Sequence, residues 1–416
     1  VYGADGCQIT DKAAAAITSR IESVRYTDPA LLPETQARGA GLWVDIDDTV
    51  NRCFAQACLF CRPDPEVCAD LHVVYTPLNG TGLLPVTEVL GLMQGVTVSR
   101  VQAQCPPDGD FPTCPKPNPE LDETLQMGLL QAVEEQADLL LATDPDCDRV
   151  GVAVRKPDGS YARLSGNEVG LLLLQYVLKT RKAQGTLPDH AVVVKTIVTS
   201  DLAFPIARTY GVKVREVLTG FKYIGEQAGI LEAKGQQERF VFGFEESYGY
   251  LAGAYVRDKD AVVASMLICE MAAFYKNEGK TLLDVINGLY AEHGMVYSSQ
   301  NSFTFEGAAG MKKMQGIMDD LRALPPKKIG ENSVIAISDY ESSEKTELKT
   351  GKKTVITLPK SNVLYYDLDE NGSNLIVRPS GTEPKIKVYI TSIDADKEKA
   401  ESRAELWLWD MKKRFN

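Results

Sequence analysis

Apolar positions recur along this chain in short blocks that alternate between the spacing of strands and the spacing of helices. Residues 71–75 (LHVVY) form a compact apolar run that leads into a glycine-rich stretch, 76–82 (TPLNGTG), and the periodicity of 83–92 then predicts a helix. A strand follows at 96–101, and a helix at 121–136 returns the chain to a second buried run, 137–142 (ADLLLA). After a polar break, 150–154 (VGVAV) predicts another strand. The pattern repeats with a long buried helix at 166–178, a strand at 191–198, a helix at 201–210, strands at 213–217 and 239–244, and a helix at 260–277. Alternating β and α elements predict mainly parallel sheets.

The two ends read differently. Residues 1–44 contain a turn, one helical run at 10–24 and a connector with Pro and Gly, which read as the tail of a domain whose beginning is missing. From about residue 298 the texture changes to strands with hairpin-like connections at 333–340, 353–358, 363–368, 375–377 and 386–391, followed by a charged amphipathic helix. The fold class is therefore α/β and multi-domain, with an α+β end. The divisions expected are an incomplete segment at 1–44, α/β domains at 45–162 and 163–297, and a C-terminal α+β domain at 298–416.

Composition narrows the partners. The 416 residues carry a formal net charge of −12, so the broad basic face needed for nucleic acid is missing and an anionic substrate must meet a local positive site. No run reaches the length of a membrane span, and VYGADGCQIT has neither the basic nor the apolar part of a signal peptide, which points to the cytosol. The nine cysteines fit reduced thiols. Cys58 and Cys61 have CxxC spacing with Cys53 and Cys68 nearby, but the segment also has helical apolar spacing and no second CxxC exists, so small side chains on a helix explain it. Three histidines in the whole chain leave little room for imidazole catalysis.

Candidate chemistry sits in the polar breaks. Asp144, Asp146 and Asp148 alternate through DPDCDR between two predicted strands, where a loop can fold three hard oxygens onto one Mg²⁺ or another hard cation. A calcium EF-hand is disfavoured, because Arg149 and Arg155 stand where that loop needs Gly and Glu. Arg149 is either an ion partner of the aspartates or a planar donor aimed at a phosphate. RPSGTEP, from Arg378 onward, brings a guanidinium, two hydroxyls and a loosened backbone to one turn, the inventory of a phosphate cradle. GFEESYGY offers Glu245 and Ser247 as partners for sugar hydroxyls. Lys222, in TGFK, and Arg257 and Lys259, in RDKD, supply positive charge or are simply surface ions.

Taken in order, DPDCDR, TGFK, GFEESYG, RDKD and RPSGTEP resemble the motifs of the α-D-phosphohexomutase superfamily over nearly the whole chain. That resemblance implies four domains around a cleft and transfer of a phosphoryl group between C1 and C6 of a hexose, through a phosphoserine and a hexose 1,6-bisphosphate. It implies Mg²⁺ on Asp144, Asp146 and Asp148, sugar 3- and 4-hydroxyls on Glu245 and Ser247, and the non-reacting phosphate on Arg378, Ser380, Gly381 and Thr382. Lys222 and Arg149 would stand near the reacting groups, with Arg257 and Lys259 binding substrate. The glucose-like form of GFEESYG makes a glucose phosphate the expected substrate, ahead of mannose or pentose phosphates.

Two departures matter. Asn79 stands in TPLNGTG where many relatives have His. None of His72, His190 and His293 follows a serine, so the serine loop of the TASHNP type is absent and the 416 residues alone are expected to be inactive. A non-catalytic phosphosugar-binding relative is the rival reading. A nucleotide kinase is disfavoured by the lack of a GxxxxGK[ST] loop.

Overall fold

In the computed structural model the described residues are 1–9, 11–25, 27, 31–305, 307–381 and 383–415. The chain divides into two compact units, one of residues 1–194 and 220–282, the other of residues 195–219 and 283–416.

In the first unit, helices α1 (Asp11–Glu22), α2 (Glu34–Gly39) and α3 (Asp48–Phe60) precede a five-stranded sheet. Its strands are β1 (Leu71–Thr76), β2 (Val96–Arg100), β3 (Leu139–Thr143), β4 (Val150–Arg155) and β5 (Tyr161–Leu164), in the order β2-β1-β3-β4-β5. β1 runs parallel to β2 and β3, whereas β3–β4 and β4–β5 are antiparallel. The sheet is thus mixed rather than mainly parallel. The reason is local: only six residues separate β3 from β4, which permits a hairpin but is far too short for a parallel crossover. β3 is buried at every position, as an unbroken apolar run in a central strand requires.

Helices α4 (Leu83–Gly91) and α5 (Gln126–Glu135) connect the parallel strands. The single helix expected at 121–136 is instead a 3₁₀ turn, Asp122–Leu125, leading into α5. Helix α6 (Gly166–Ala183) outlasts its apolar run and starts with a capping box, in which Ser165 and Glu168 satisfy each other's backbone N–H. Strands β6 (Val192–Thr196) and β7 (Lys213–Val217) flank helix α7 (Ala203–Thr209), and the division between units falls within β6. The TGFK segment opens helix α8 (Phe221–Glu232), and β8 (Phe240–Glu245) pairs antiparallel with β9 (Gly249–Ala252). Helix α9 (Ala261–Asn277) is apolar and buried almost all round; it packs on α3, α4, α6, β1 and β4. Its N-terminus is capped by Asp260, whose carboxylate accepts from the N–H groups of Val262 (2.7 Å) and Val263 (3.3 Å).

Helix α10 (Leu282–His293) leads into the second unit, whose sheet is antiparallel throughout its registered pairs. Its strands are β10 (Met295–Thr304), β13 (Ala336–Asp339), β14 (Glu344–Glu347), β15 (Lys353–Val355), β16 (Leu364–Asp367), β17 (Asn374–Pro379) and β18 (Lys385–Asp394), in the order β10-β18-β17-β16-β13-β14-β15. A separate two-residue pair, β11 (Lys328–Ile329) with β12 (Asn332–Ser333), stands outside it. Helices α11 (Ala308–Ala323) and α12 (Lys397–Phe415) cover one face, burying Met318, Trp407 and Met411 against Val377 and Val388. In the same unit Lys195, wholly buried, is held between Asp201 (2.8 Å) and Glu216 (2.7 Å), with the carbonyls of Thr196 and Thr199 each at 3.2 Å. A buried ammonium survives only with such complete compensation. Among the described residues, no helix is long and apolar enough to cross a membrane.

Candidate functional site

The acidic loop is the turn of the β3–β4 hairpin. Asp144 Oδ1 accepts from the backbone N–H groups of Asp148 (3.0 Å) and Arg149 (2.9 Å), and the Cys147 N–H donates to the Asp144 carbonyl (3.0 Å). Cys147 takes φ of 58°, which curls the loop and turns the acidic side chains to one side. Oxygens of Asp144, Asp146 and Asp148 then lie within 4.8 Å of one another. Burial, and next the Asp148 charge, push the Asp144 carboxyl up to about 7. Three hard oxygens with that electrostatic cost fit a divalent cation such as Mg²⁺.

Two cations already face the cluster. Lys259 Nζ is 2.6 Å from Asp148 Oδ2, and the carboxylate charges hold its ammonium well above the usual range despite burial. Arg149 Nε lies 3.8 Å from Asp148 and 3.9 Å from Asp144, and Nη1 lies 3.6 Å from Glu120. That Nε is buried without a hydrogen-bond partner, leaving a donor beside the aspartates.

The loop expected to meet sugar hydroxyls is the β8–β9 turn, and it is clasped to the acidic loop. Arg149 bridges Gly249, and the Val150 N–H donates to the Tyr248 carbonyl at 3.2 Å. Glu245 and Gly249 are paired, so three residues make the turn, and Tyr248 at φ of 65° closes it. Gly249 leaves room for its neighbours: a Cβ there would sit 2.7 Å from Lys259 Cδ and 3.1 Å from Glu245, so either side chain would have to shift. Glu245 is buried, and desolvation followed by the Glu246 charge pushes its carboxyl up to about 7; Lys259, Arg149 and the Ser247 hydroxyl act in the opposite sense.

The RDKD segment supplies both a wall and a brace. Arg257 is buried, with its guanidinium given to the Glu232 carboxylate and to the carbonyls of Ala254 and Val256, so it ties α8 to this wall. Tyr2 donates to Asp258 at 3.0 Å. Lys222, in the first turn of α8, has its ammonium 4.9 Å from the Tyr223 ring centre, and its neighbour Phe221 lies under Lys259. Asp146, Asp148, Arg257, Lys259 and Tyr2 line one cavity of about 660 Å³.

The glycine-rich loop after β1 supports the acidic loop from below. Thr81 donates to the Pro145 carbonyl through its N–H (2.8 Å) and hydroxyl (3.0 Å), and a Cβ on Gly80 would lie 2.3 Å from Pro145 Cα. Asn79 is buried at φ of 59°; its amide donates to the Pro106 carbonyl (2.9 Å) and accepts from Thr113 (3.2 Å), bracing this loop.

In the second unit, RPSGTEP is the turn between β17 and β18, where Arg378 stands opposite Lys387. The Ser380 N–H donates to the Lys385 carbonyl at 2.7 Å, and Ser380 Oγ accepts from the Glu383 N–H at 3.3 Å. Arg378 and Ser380 are half-buried and Gly381 is exposed; Thr382 lies outside the described residues.

Sequence comparison brings these loops under one heading. Models of the phosphoglucomutase/phosphomannomutase family match residues 55–159 (alpha/beta/alpha domain II), 165–293 (alpha/beta/alpha domain III) and 352–406 (C-terminal domain). A phosphoglucomutase of Staphylococcus epidermidis (strain RP62A) is 36% identical over 392 residues, covering 94% of this chain and 70% of its own length. The chain belongs to the phosphoglucomutase/phosphomannomutase family. A phosphoglucomutase of Staphylococcus aureus (strain NCTC 8325) is likewise 36% identical over 408 residues, with 94% and 69% covered. Solved structures agree on the phosphoglucomutase/phosphomannomutase fold. Parafusin of Paramecium has a TM-score of 0.61 at 16% identity, covering 88% of this chain and 62% of its own. A family protein of Burkholderia thailandensis has 0.60 at 15%, covering 88% and 64%. The chain therefore spans under two thirds of those two structures.

Several residues at the site escaped sequence reasoning. Glu120, which faces Arg149, directly follows the Pro-rich stretch 105–119 with no local sign of its role. The Tyr2–Asp258 bond joins residues 256 positions apart. The CxxC pair points inward from α3: Cys61 donates to the Ala252 carbonyl at 3.2 Å, and Cys58 lies 3.6 Å from the Tyr255 hydroxyl. Burial pushes the Cys61 thiol up to about 12 and the Cys58 thiol higher still, which keeps both as neutral packing groups.

Proposed function

We propose that the intact protein is a phosphohexomutase that interconverts a hexose 1-phosphate and a hexose 6-phosphate, with glucose as the preferred sugar. The observation that carries this reading is the clasp: the acidic loop, whose Asp146 and Asp148 line a cavity of about 660 Å³, is hydrogen-bonded to the Glu245 loop. A phosphoryl transfer needs a charged pole and a hydroxyl-reading surface held at fixed separation.

In this proposal Asp144, Asp146 and Asp148 hold Mg²⁺, which when bound offsets charge on the phosphoryl group being transferred. Arg149 turns its unpartnered Nε to an oxygen of the same group, and Lys259 neutralises Asp148 whenever the cation leaves. Glu245 accepts from a sugar hydroxyl and Ser247 donates to another. Lys222 stands as the proton donor to the departing oxygen. Arg378, Ser380, Gly381 and Thr382 take the phosphate that is not reacting. A phosphoserine outside these motifs gives its phosphoryl group to the substrate, and the hexose 1,6-bisphosphate so formed turns over before returning the other phosphoryl group to serine.

The test is turnover of glucose 1-phosphate to glucose 6-phosphate, followed by coupled oxidation of the product. The protein extended by a serine loop is expected to work with Mg²⁺, with glucose 1-phosphate favoured over mannose 1-phosphate by about tenfold or more in kcat/KM. The 416 residues alone are expected to give none. Turnover by those residues overturns the need for a serine loop, and an extended protein that binds glucose 1,6-bisphosphate yet never transfers its phosphate overturns the mutase reading.

A further inference from the structure

A second cavity, of about 400 Å³, opens in the first unit at the other end of the same hairpin. Leu139 begins β3 and lines this cavity, whereas Asp144 follows the last residue of that strand. At about 3.3 Å per residue the two sites lie roughly 15 Å apart along the sheet. This cavity is large enough for a small metabolite and shares no lining residue with the first.

Its chemistry is unusual for a chain of net charge −12. Arg155, Lys156, Lys276 and Lys280 all line it, against one carboxylate, Asp138. That carboxylate is already taken: both its oxygens lie 2.9 Å from Lys276 Nζ, and Oδ2 also accepts from the His72 N–H. Lys280 reaches Glu278 at 3.1 Å, but Glu278 is shared with Lys179 at 2.8 Å. Among the described residues, Lys156 pairs only with an exposed Asp158 at 3.9 Å. Arg155 has neutral partners, the carbonyl and the side-chain oxygen of Gln136, each at 3.4 Å. Positive charge at this rim therefore exceeds its compensation, and a planar guanidinium without a carboxylate is suited to a phosphate. Behind the charges, Leu71, Leu139 and Val154 make a buried apolar floor.

We propose that this cavity is a second ligand site, separate from the mutase site, that takes a small organic phosphate. The phosphate meets Arg155 and Lys156, and the apolar or ring portion of the ligand lies on the Leu71–Leu139–Val154 floor. Neither half works alone, because the cations are too exposed to hold bare phosphate tightly and the floor has no polar group to orient a neutral ring.

Adenosine 5′-monophosphate is a suitable probe, titrated calorimetrically into the 416-residue chain without Mg²⁺ at low ionic strength, with adenosine as the uncharged control. Saturable binding of the monophosphate and none of adenosine is expected. The double substitution Arg155→Gln/Lys156→Gln should weaken it by about tenfold or more, Arg155→Lys by less, and Arg378→Gln in the C-terminal loop, which lines no part of this cavity, by less than about twofold. Both rim side chains are half-exposed and make only the weak contacts given above, and an unchanged near-ultraviolet dichroism spectrum confirms that the double variant folds. Absence of saturable binding, binding that survives the double substitution, or binding lost only with Arg378→Gln overturns the proposal.

Discussion

At the scale of single residues, the site is governed by two carboxyls that burial has made expensive to ionise. Asp144 holds the acidic loop through two backbone N–H groups, a task that an amide oxygen can also perform. Asp144→Asn is therefore expected to keep the fold and to weaken Mg²⁺ binding by about tenfold or more, measured by isothermal calorimetry; unchanged affinity would remove Asp144 from the ligand set. Glu245 offers a pH test. Its carboxyl is raised to about 7 from an ordinary 4.5, so the folded state binds the extra proton. The associated stability is fully present below the ordinary value and is lost as pH rises through about 7. The loss is on the order of 3 kcal/mol for a shift of this size. Urea unfolding between pH 5 and pH 8 should show that decline in the parent protein and a flatter profile in Glu245→Gln. Parallel profiles would place the titration elsewhere. Residues such as Asp144 were legible in the sequence because their chemistry is concentrated in six consecutive positions. Glu120 and Tyr2 were not, since each acquires its role from a partner that only folding brings near.

Elements account for the rest of what the sequence disclosed and withheld. Long buried runs such as α6 and α9 announce themselves by period and length, and Asp260 marks the start of α9 with its cap. Strand direction does not, because an apolar run is equally consistent with either neighbour orientation. β4 turned out antiparallel to β3 for a reason of loop length. The short strands β5 and β9 are four residues each, too brief for a period to register, and α10 and α11 fall in stretches to which the sequence pattern assigns no element. The glycine-rich loop after β1 is legible only as a strand-to-helix connection, and its packing makes it the floor of the acidic loop. Gly80→Ala tests that role. The new Cβ would meet backbone of Pro145, which cannot swing aside, so a stability loss of about 1–3 kcal/mol is expected. Mg²⁺ affinity should fall with it, whereas a variant of full stability and affinity would show that the two loops are not mechanically joined.

For the whole molecule, two compact units with separate hydrophobic clusters predict that unfolding is not a single all-or-none event. Calorimetry should resolve more than one transition, and Mg²⁺ should raise the transition of the unit that holds the acidic loop while leaving the other in place. One transition whose calorimetric and van't Hoff enthalpies coincide would contradict this. The proposed division of labour follows the same lines. Metal and hydroxyl recognition belong to the first unit, and the RPSGTEP turn is built on a sheet of the second.

The backbone clasp between Arg149 and Gly249 bears on how such a protein can diversify. On the proposed roles, a substitution that reshapes the Glu245 turn to suit another sugar moves the strand partner of the acidic hairpin, and so also alters the grip on the cation. Sugar preference and metal demand are then inherited as one trait. Descendants that change their substrate should carry compensating changes around the aspartates, and laboratory selection for a new sugar should enrich second-site revertants there before anywhere else.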